Sequence, residues 1–99
     1  MEVIVRSRDV DVDDRLRAVA NRKAVVLERL ATDAEWIEVD FAGQRNPRIS
    51  DHTRCAARLH LRRGTLTAHA VAPVPEAALE RVVAKLRHQV ARRKDKRGR

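Results

Sequence analysis

The sequence predicts one two-layer α+β domain with the element order β-α-β-β-β-α. A chain of 99 residues normally forms a single domain. Several stretches alternate between apolar and polar residues, which indicates strands. Two other stretches have apolar residues at helical spacing, which indicates helices. Because only one side of each strand is apolar, we expect both helices on one face of a four-stranded sheet.

The first strand and the first helix are predicted near the amino-terminal end. β-branched side chains favour a strand over residues 2–8, and the acidic run 9–14 ends it. Asp13 has the side chain of a helix N-cap, and the helix that follows is expected to run to about Ala31. Its apolar positions recur at the spacings that one buried face requires: Leu16, Val19, Ala20, Leu27 and Leu30.

Two strands separated by a long loop are predicted in the middle of the chain. Residues 35–41 alternate between apolar and polar types, as a half-buried strand does. Residues 42–53 are rich in turn-forming types, among them Gly43, and are predicted to be an extended, mobile loop. Alternation returns over residues 54–62 and places three apolar side chains inward: Ala57, Leu59 and Leu61.

A hairpin and a second helix complete the predicted fold. Gly64, after Arg63, favours a tight turn into a fourth strand. Pro73 ends that strand, and Pro75 suits the first turn of a helix predicted over 76–93. The apolar positions of this helix share one face: Leu79, Val82, Val83, Leu86 and Val90.

The positive charge of the chain is concentrated at its carboxyl end. The formal net charge is +8; residues 81–99 contain nine Lys or Arg and one Asp, whereas the other 80 residues carry 13 bases and 13 acids. A neutral body with a basic end is typical of proteins that bind polyanions. We assign residues 1–94 to the folded domain and 95–99 to a basic tail, expected to be disordered. The cations of the second helix are predicted almost opposite its apolar side: Arg81, Lys85, His88, Arg92 and Lys96.

Composition and motifs argue against several other classes of protein. No apolar run approaches the roughly 18–20 residues that span a bilayer. The amino terminus has no secretory pattern, and the single cysteine cannot form an internal disulfide, which favours a reducing cytoplasm. The chain has no glycine-rich phosphate loop, no nucleophile elbow and no zinc-peptidase motif. We therefore predict a cytoplasmic protein that is not an enzyme.

Two catalytic arrangements and one metal site compete with structural explanations. Glu38 and Asp40 share a strand face and suit paired carboxylates, but a solvated face explains them better. Cys55 is a candidate nucleophile activated by His52 or His60, although a lone small cysteine more often packs in a core. His60 and His69 are predicted on adjacent strands with the same outward direction, but without a third ligand they are better read as exposed histidines. We predict no metal and no cofactor.

Basic residues at helical spacing favour nucleic-acid binding. Cations repeated along one helix face can follow a phosphate backbone and release its counterions. The first helix adds cations spaced by seven: Arg15, Arg22 and Arg29. Tyr is absent, and the two aromatic residues, Trp36 and Phe41, cannot form a stacking platform for bases. Contacts are therefore expected to the backbone and the shape of the nucleic acid.

The sequence resembles the ribosome hibernation promoting factors, a family that includes the stationary-phase inhibitor protein Y. The likeness covers nearly the whole chain, and the order and spacing of the matching segments carry it. These segments are 3–5, 12–17, Lys23, 27–28, 57–64, 77–79, Lys85, Leu86, Gln89 and 94–96.

The resemblance implies a fold similar to a double-stranded RNA-binding domain and a role on the ribosome. A member of this family occupies the small ribosomal subunit between head and body, where mRNA and the A-site and P-site tRNAs lie, and silences ribosomes during stress. It needs no cofactor. The bases that would contact rRNA by position are Lys23, Arg29, Arg81, Lys85, Arg87, Arg92, Arg93, Lys94 and Lys96. Two alternatives stay open: a general structured-RNA-binding module, and a protein-interaction module that recruits an acidic partner.

Overall fold

Four strands and two helices form two layers in the computed structural model, which describes residues 1–46 and 49–97, with side chains except those of 44–51 and 95–97. The predicted element order is confirmed. The elements are β1 (Glu2–Arg8), α1 (Asp14–Leu30), β2 (Ala34–Asn46), β3 (Ile49–Leu61), β4 (Gly64–Ala72) and α2 (Pro75–Arg97).

The sheet is mixed and has its strands in chain order, β1-β2-β3-β4. β1 and β2 are parallel and are joined through α1, whereas the β2–β3 and β3–β4 pairs are antiparallel. Val39 lies opposite Val5 on one side and Ala57 on the other, so the apolar residues of neighbouring strands fall on the same face. This register gives the sheet one apolar face and one polar face.

Both helices cover the apolar face, as predicted. α1 packs over β1 and β2, and α2 packs over β3 and β4. The largest fully buried side chains come from both layers: Phe41, Leu27, Leu59, Leu79 and Leu86. No helix in the described part of the chain is long and apolar enough to cross a membrane.

The two helices run side by side in the same direction. At one end, Arg15 of α1 lies 3.9 Å from Glu76 of α2. At the other end, Leu30 of α1 shares a cleft with Arg87 and Lys94 of α2. The predicted N-cap of α1 is confirmed, because the Asp13 carboxylate accepts a 2.8 Å hydrogen bond from the backbone N–H of Leu16. The positive amino ends of both helix dipoles therefore lie together.

The prediction of a mobile loop over residues 42–53 is wrong, because β2 and β3 continue through most of it as a long hairpin. Gly43 pairs with Thr53, and the Thr53 side chain is buried. A Cβ atom on Gly43 would lie 2.7 Å from the backbone oxygen of Asp9, so the glycine permits a close chain approach rather than a turn. Pro47 lies outside the described residues. Turn-forming residue types are tolerated here because cross-strand pairing outweighs their low strand propensity.

The second helix is longer at its carboxyl end than predicted. α2 ends at Arg97 instead of Arg93. Continuation through 95–97 carries the basic sequence onto the helix, while residues 98 and 99 lie outside the described residues. The division of the chain at residue 94 stays a prediction.

Candidate nucleic-acid interface

Three side chains of α2 form hydrogen bonds to the outer edge of β4. Arg81 Nη1 donates to the carbonyl of Val71 at 2.6 Å, and Lys85 Nζ donates to the carbonyl of His69 at 2.7 Å. Gln89 Nε2 donates to the carbonyl of Thr67 at 2.7 Å. We call this set the β4 ladder. It closes the sheet edge at which these carbonyls would otherwise lack a partner in the protein.

The spacing of the β4 ladder follows from two regular geometries. Four residues along a helix advance about 6 Å, and two residues along a strand advance about 6.6 Å. Side chains at every fourth helix position therefore meet every second carbonyl of a neighbouring antiparallel strand. Arg81 and Lys85 consequently lie beside β4, at the flank of the apolar side, and not almost opposite it as the sequence predicted. Sequence reasoning assigned Gln89 to the family likeness without a role; its spacing of four from Lys85 was the available signal.

Arg93 is held by an acidic partner next to α1. Its Nη1 and Nη2 atoms lie 3.0 Å and 2.7 Å from the two carboxylate oxygens of Asp33, and both side chains are mostly buried. This hydrogen bond to Asp33 raises the pKa of Arg93 above its ordinary value, so the guanidinium stays charged. Asp33 follows the end of α1, so the pair ties the last turns of α2 to the connection between α1 and β2.

The other predicted cations differ in exposure. Arg87, Arg92 and Lys94 of α2 and Arg29 of α1 are exposed, and the described part of the structure shows no hydrogen bond or ion pair for these four. Lys23 is half-buried and lies one turn from Val19, on the side of α1 that faces α2. The side chain of Lys96 lies outside the described residues. The four exposed cations are the ones able to reach a ligand without breaking a contact.

Charge is distributed unevenly along the helix layer. The cleft at the amino ends of the helices is lined by Asp11, Asp13 and Glu76 together with Arg15. The carboxyl ends carry Arg29, Arg92 and Lys94, where cations are favoured by the helix dipoles. Because the helices are parallel, the basic ends coincide, and this end of the layer is the part of the described surface best suited to a polyanion.

The polar face of the sheet holds a different cluster, centred on Glu38. Its carboxylate lies 3.3 Å from His60 Nε2 and 3.4 Å from Arg6 Nη2. The hydrogen bond from His60 has the largest effect and lowers the pKa of Glu38. Desolvation by burial comes next and raises it, whereas the hydrogen bond and the charge of Arg6 lower it. Trp36 stacks on His60 with ring centroids 3.7 Å apart. Glu38 is thus engaged by Arg6 and His60, so a structural role explains its position beside Asp40 without catalysis.

The register separates the two histidines considered as metal ligands. His60 pairs with Thr65, whereas His69 pairs with Ala56, four residues away along β3. Both point to the polar face, as predicted, but about 13 Å of strand separates them. Their ring nitrogens therefore do not lie close enough to bind one metal ion together. The described residues contain no group of three or more potential metal ligands.

Cys55 lies on the apolar face of the sheet and is fully buried. Burial, with a contribution from Asp40, raises the pKa of its thiol to about 12. His52 and His60 occupy alternate positions of β3 and therefore point to the opposite face. The structure thus contradicts the Cys–His nucleophile and supports the packing role.

Two solved structures share this architecture. A ribosomal subunit interface protein from Coxiella burnetii superimposes with a TM-score of 0.77 and 20% identity, over 96% of this chain and 99% of that one. The N-terminal domain of Protein Y from Thermus thermophilus gives a TM-score of 0.72 and 22% identity, over 93% of this chain and 98% of that one. No curated protein sequence matches the chain. At these identities the likeness shows the fold alone.

The family assignment comes from the sequence itself. A family model described as Sigma 54 modulation protein / S30EA ribosomal protein matches residues 3–98, which include all six secondary-structure elements. Members are ribosome-associated factors rather than enzymes, so the prediction of a non-enzymatic protein is confirmed. The chain belongs to the Sigma 54 modulation protein / S30EA ribosomal protein family.

Proposed function

We propose that this protein is a cytoplasmic hibernation factor that binds the small ribosomal subunit and inhibits translation. It occupies the channel for mRNA and tRNA through the basic helix layer, with rRNA as its main partner. The observation that carries this proposal is the set of exposed cations at the coinciding carboxyl ends of two parallel helices, in a family of ribosome-associated proteins.

Different cations have different roles in the proposed complex. Arg87, Arg92, Lys94 and Arg29 reach phosphates directly, and Lys96 extends the same helix. Arg81 and Lys85 also contribute, because a guanidinium has five N–H donors and an ammonium three, so each keeps donors after bonding β4. Arg93 acts by holding α2 in place. Lys23 adds a further cation from α1 to the rRNA contact.

Recognition in this proposal depends on phosphates and shape. Trp36 lies on the polar face of the sheet, stacked on His60, and Phe41 is 1% exposed in the core. The helix layer therefore offers no Trp, Tyr or Phe ring among its described residues on which a base would stack. An rRNA groove of fixed shape supplies the specificity that base stacking does not.

Co-sedimentation with small ribosomal subunits over a salt series tests the proposal, together with an in vitro translation assay. The informative variant is Arg87→Glu with Arg92→Glu, because neither side chain contacts β4. Lys85→Glu is less informative, since it would also place a carboxylate against the His69 carbonyl. The matched control is Arg8→Glu with Arg54→Glu, an equal charge change on exposed strand residues.

We expect wild type and control to bind small subunits and inhibit translation, and the helix variant to lose both at moderate salt. Equal wild-type affinity for free duplex RNA would instead favour a general RNA-binding module. Unchanged association of the helix variant would favour a protein-interaction module.

A further inference from the structure

The two edges of the sheet are finished differently. The β4 edge is closed by the β4 ladder, whereas β1 is the other edge strand and no described segment pairs with its outer side. An open edge presents unpaired N–H and C=O groups that another strand can bond.

The apolar layer is also incomplete at β1. Val3 and Val5 point to the same face as Ile37 and Val39, their neighbours on β2. Ile37 and Val39 are each 3% exposed, but Val3 and Val5 are only half-buried. A further strand beside β1 would cover the apolar surface that remains.

We propose that the partner at this edge is a second copy of the chain, whose β1 pairs antiparallel with the first, centred on Ile4. The strand sequence is self-complementary about that residue. Val3 then lies opposite Val5 of the other copy, Ile4 lies opposite itself, and Glu2 lies opposite Arg6. Opposite charges directly across an antiparallel pair are stabilising. Glu2 has no ion-pair partner within the described part of one chain.

A second complementary set lies on α1, above the same edge. Residues 17, 21 and 28 form an exposed strip along one side of the helix, and the position of this strip is known because Glu28 Oε2 lies 2.6 Å from the amino group of Met1, beside β1. In an antiparallel pair of α1 helices, the exposed Arg17 meets the exposed Glu28 of the other copy. Residues of opposite charge therefore face each other across the helix pair, as they do across the strand pair.

The strand pair and the helix pair fit one two-fold axis. From Met1 to Ile4 the strand advances about 10 Å, and the same distance along α1 from Glu28 reaches about residue 21 or 22. This position is close to the point midway between Arg17 and Glu28, at residue number 22.5, through which the two-fold axis of the helix pair must pass. With α1 over β1 and β2, the two α1 axes lie about 10 Å apart, within the usual range for packed helices.

The proposed dimer is an eight-stranded sheet with four helices on one face. α2 lies over β3 and β4, at the far side from the new interface. Both basic helix ends stay exposed, so self-association does not depend on the proposed ribosome binding, and either one can fail without the other.

Sedimentation equilibrium over a concentration range tests the dimer. Wild type should associate reversibly, and Glu2→Lys should weaken association at least about tenfold, because it places like charges opposite each other twice. Glu80→Lys changes the net charge equally on exposed α2 and should leave association unchanged. A wild-type protein that stays monomeric at millimolar concentration would overturn the proposal.

Cross-linking tests the register. Residues directly opposite across antiparallel strands have Cα atoms about 4.5–5.5 Å apart, a distance that a disulfide spans. Ile4→Cys should therefore give a covalent dimer under oxidation with copper phenanthroline, whereas Glu2→Cys and Arg6→Cys should cross-link only when mixed. The native Cys55 is buried and does not compete. Cross-linking of Arg6→Cys to itself, or none by Ile4→Cys, would contradict this register.

Discussion

Glu38 illustrates how single residues on the polar face of the sheet are held. It lies on β2, and its carboxylate is approached from both neighbouring strands, by Arg6 on β1 and by His60 and Arg58 on β3. Although it is on the polar face, its side chain is only 13% exposed. The hydrogen bond from His60 and the hydrogen bond and charge of Arg6 favour the ionised carboxylate. The contacts of Glu38 tie three strands together on the side opposite the helices.

The lowered pKa of Glu38 predicts a dependence of stability on pH. Its ordinary value is 4.5, so the ionised form is favoured more in the folded than in the unfolded chain. The resulting contribution to the free energy of unfolding is present above pH 4.5 and is lost as pH falls through the lower, folded pKa. We expect the Tm of Glu38→Gln to fall less steeply on acidification than that of wild type, measured by circular dichroism.

The exposed carboxylate of Glu35, on the same strand, supplies the control for this measurement. Glu35→Gln should keep the wild-type acid dependence. Parallel Tm curves for wild type and Glu38→Gln would show that the contacts of Glu38 do not stabilise its ionised form.

Among whole elements, α2 is distinguished by the β4 ladder. A helix covers a sheet through its apolar side, but α2 also bonds the edge of β4 through long polar side chains. Arg81 and Lys85 are consequently held in one place by the fold. Cations fixed in this way lose less conformational entropy when they bind a second partner than freely moving ones do.

Gln89→Ala tests the structural part of the β4 ladder. Gln89 carries no charge, so its removal should lower the free energy of unfolding by about 1 kcal/mol through the loss of one hydrogen bond. Urea denaturation measures it. His88→Ala, at the adjacent exposed position, should change stability by less than half as much, and equal losses in the two variants would contradict the ladder.

The sequence predicted elements better than their contacts. Alternation at 35–41 and 54–62 correctly predicted which side of each strand is buried, because a strand period of two relates sequence directly to face. It missed the long hairpin, because Gly43 and its neighbours have low strand propensity although pairing with β3 stabilises them there. It also missed the β4 ladder and the Asp33–Arg93 pair, since both depend on residues brought together only by the fold.

Charge polarity is the feature of the whole molecule most relevant to its partner. Parallel helices bring acidic caps to one end of the helix layer and cations to the other. A polyanion is attracted to the basic end and repelled from the acidic one, which orients the protein as it approaches. The overall charge of +8 does not reveal that acidic and basic groups lie at opposite ends of the helix layer. This separation follows from the parallel arrangement of the two helices.

The salt dependence of association should separate cations that bind from cations that support the fold. Removing the cation from one phosphate reduces the slope of log K against log salt by about 0.7–0.9. We expect Arg92→Gln to reduce the slope for small subunits by that amount without changing stability. Arg93→Gln should keep the slope and lower the free energy of unfolding by about 1 kcal/mol, because it breaks a partly buried ion pair.

Equal slopes and equal stabilities for Arg92→Gln and Arg93→Gln would contradict this division of roles. Thermal unfolding of the two variants in parallel with sedimentation supplies the comparison.

The stacking of Trp36 on His60 determines what the intrinsic fluorescence of the protein reports. The chain has one Trp and no Tyr, so its intrinsic emission comes from a single ring on the polar face of the sheet. A ligand bound on the helix layer leaves that ring in its native surroundings, while an event that shifts β2 against β3 alters its contact with the imidazole. Emission from this indole therefore reports on the face of the molecule that the proposed ribosome contact does not use.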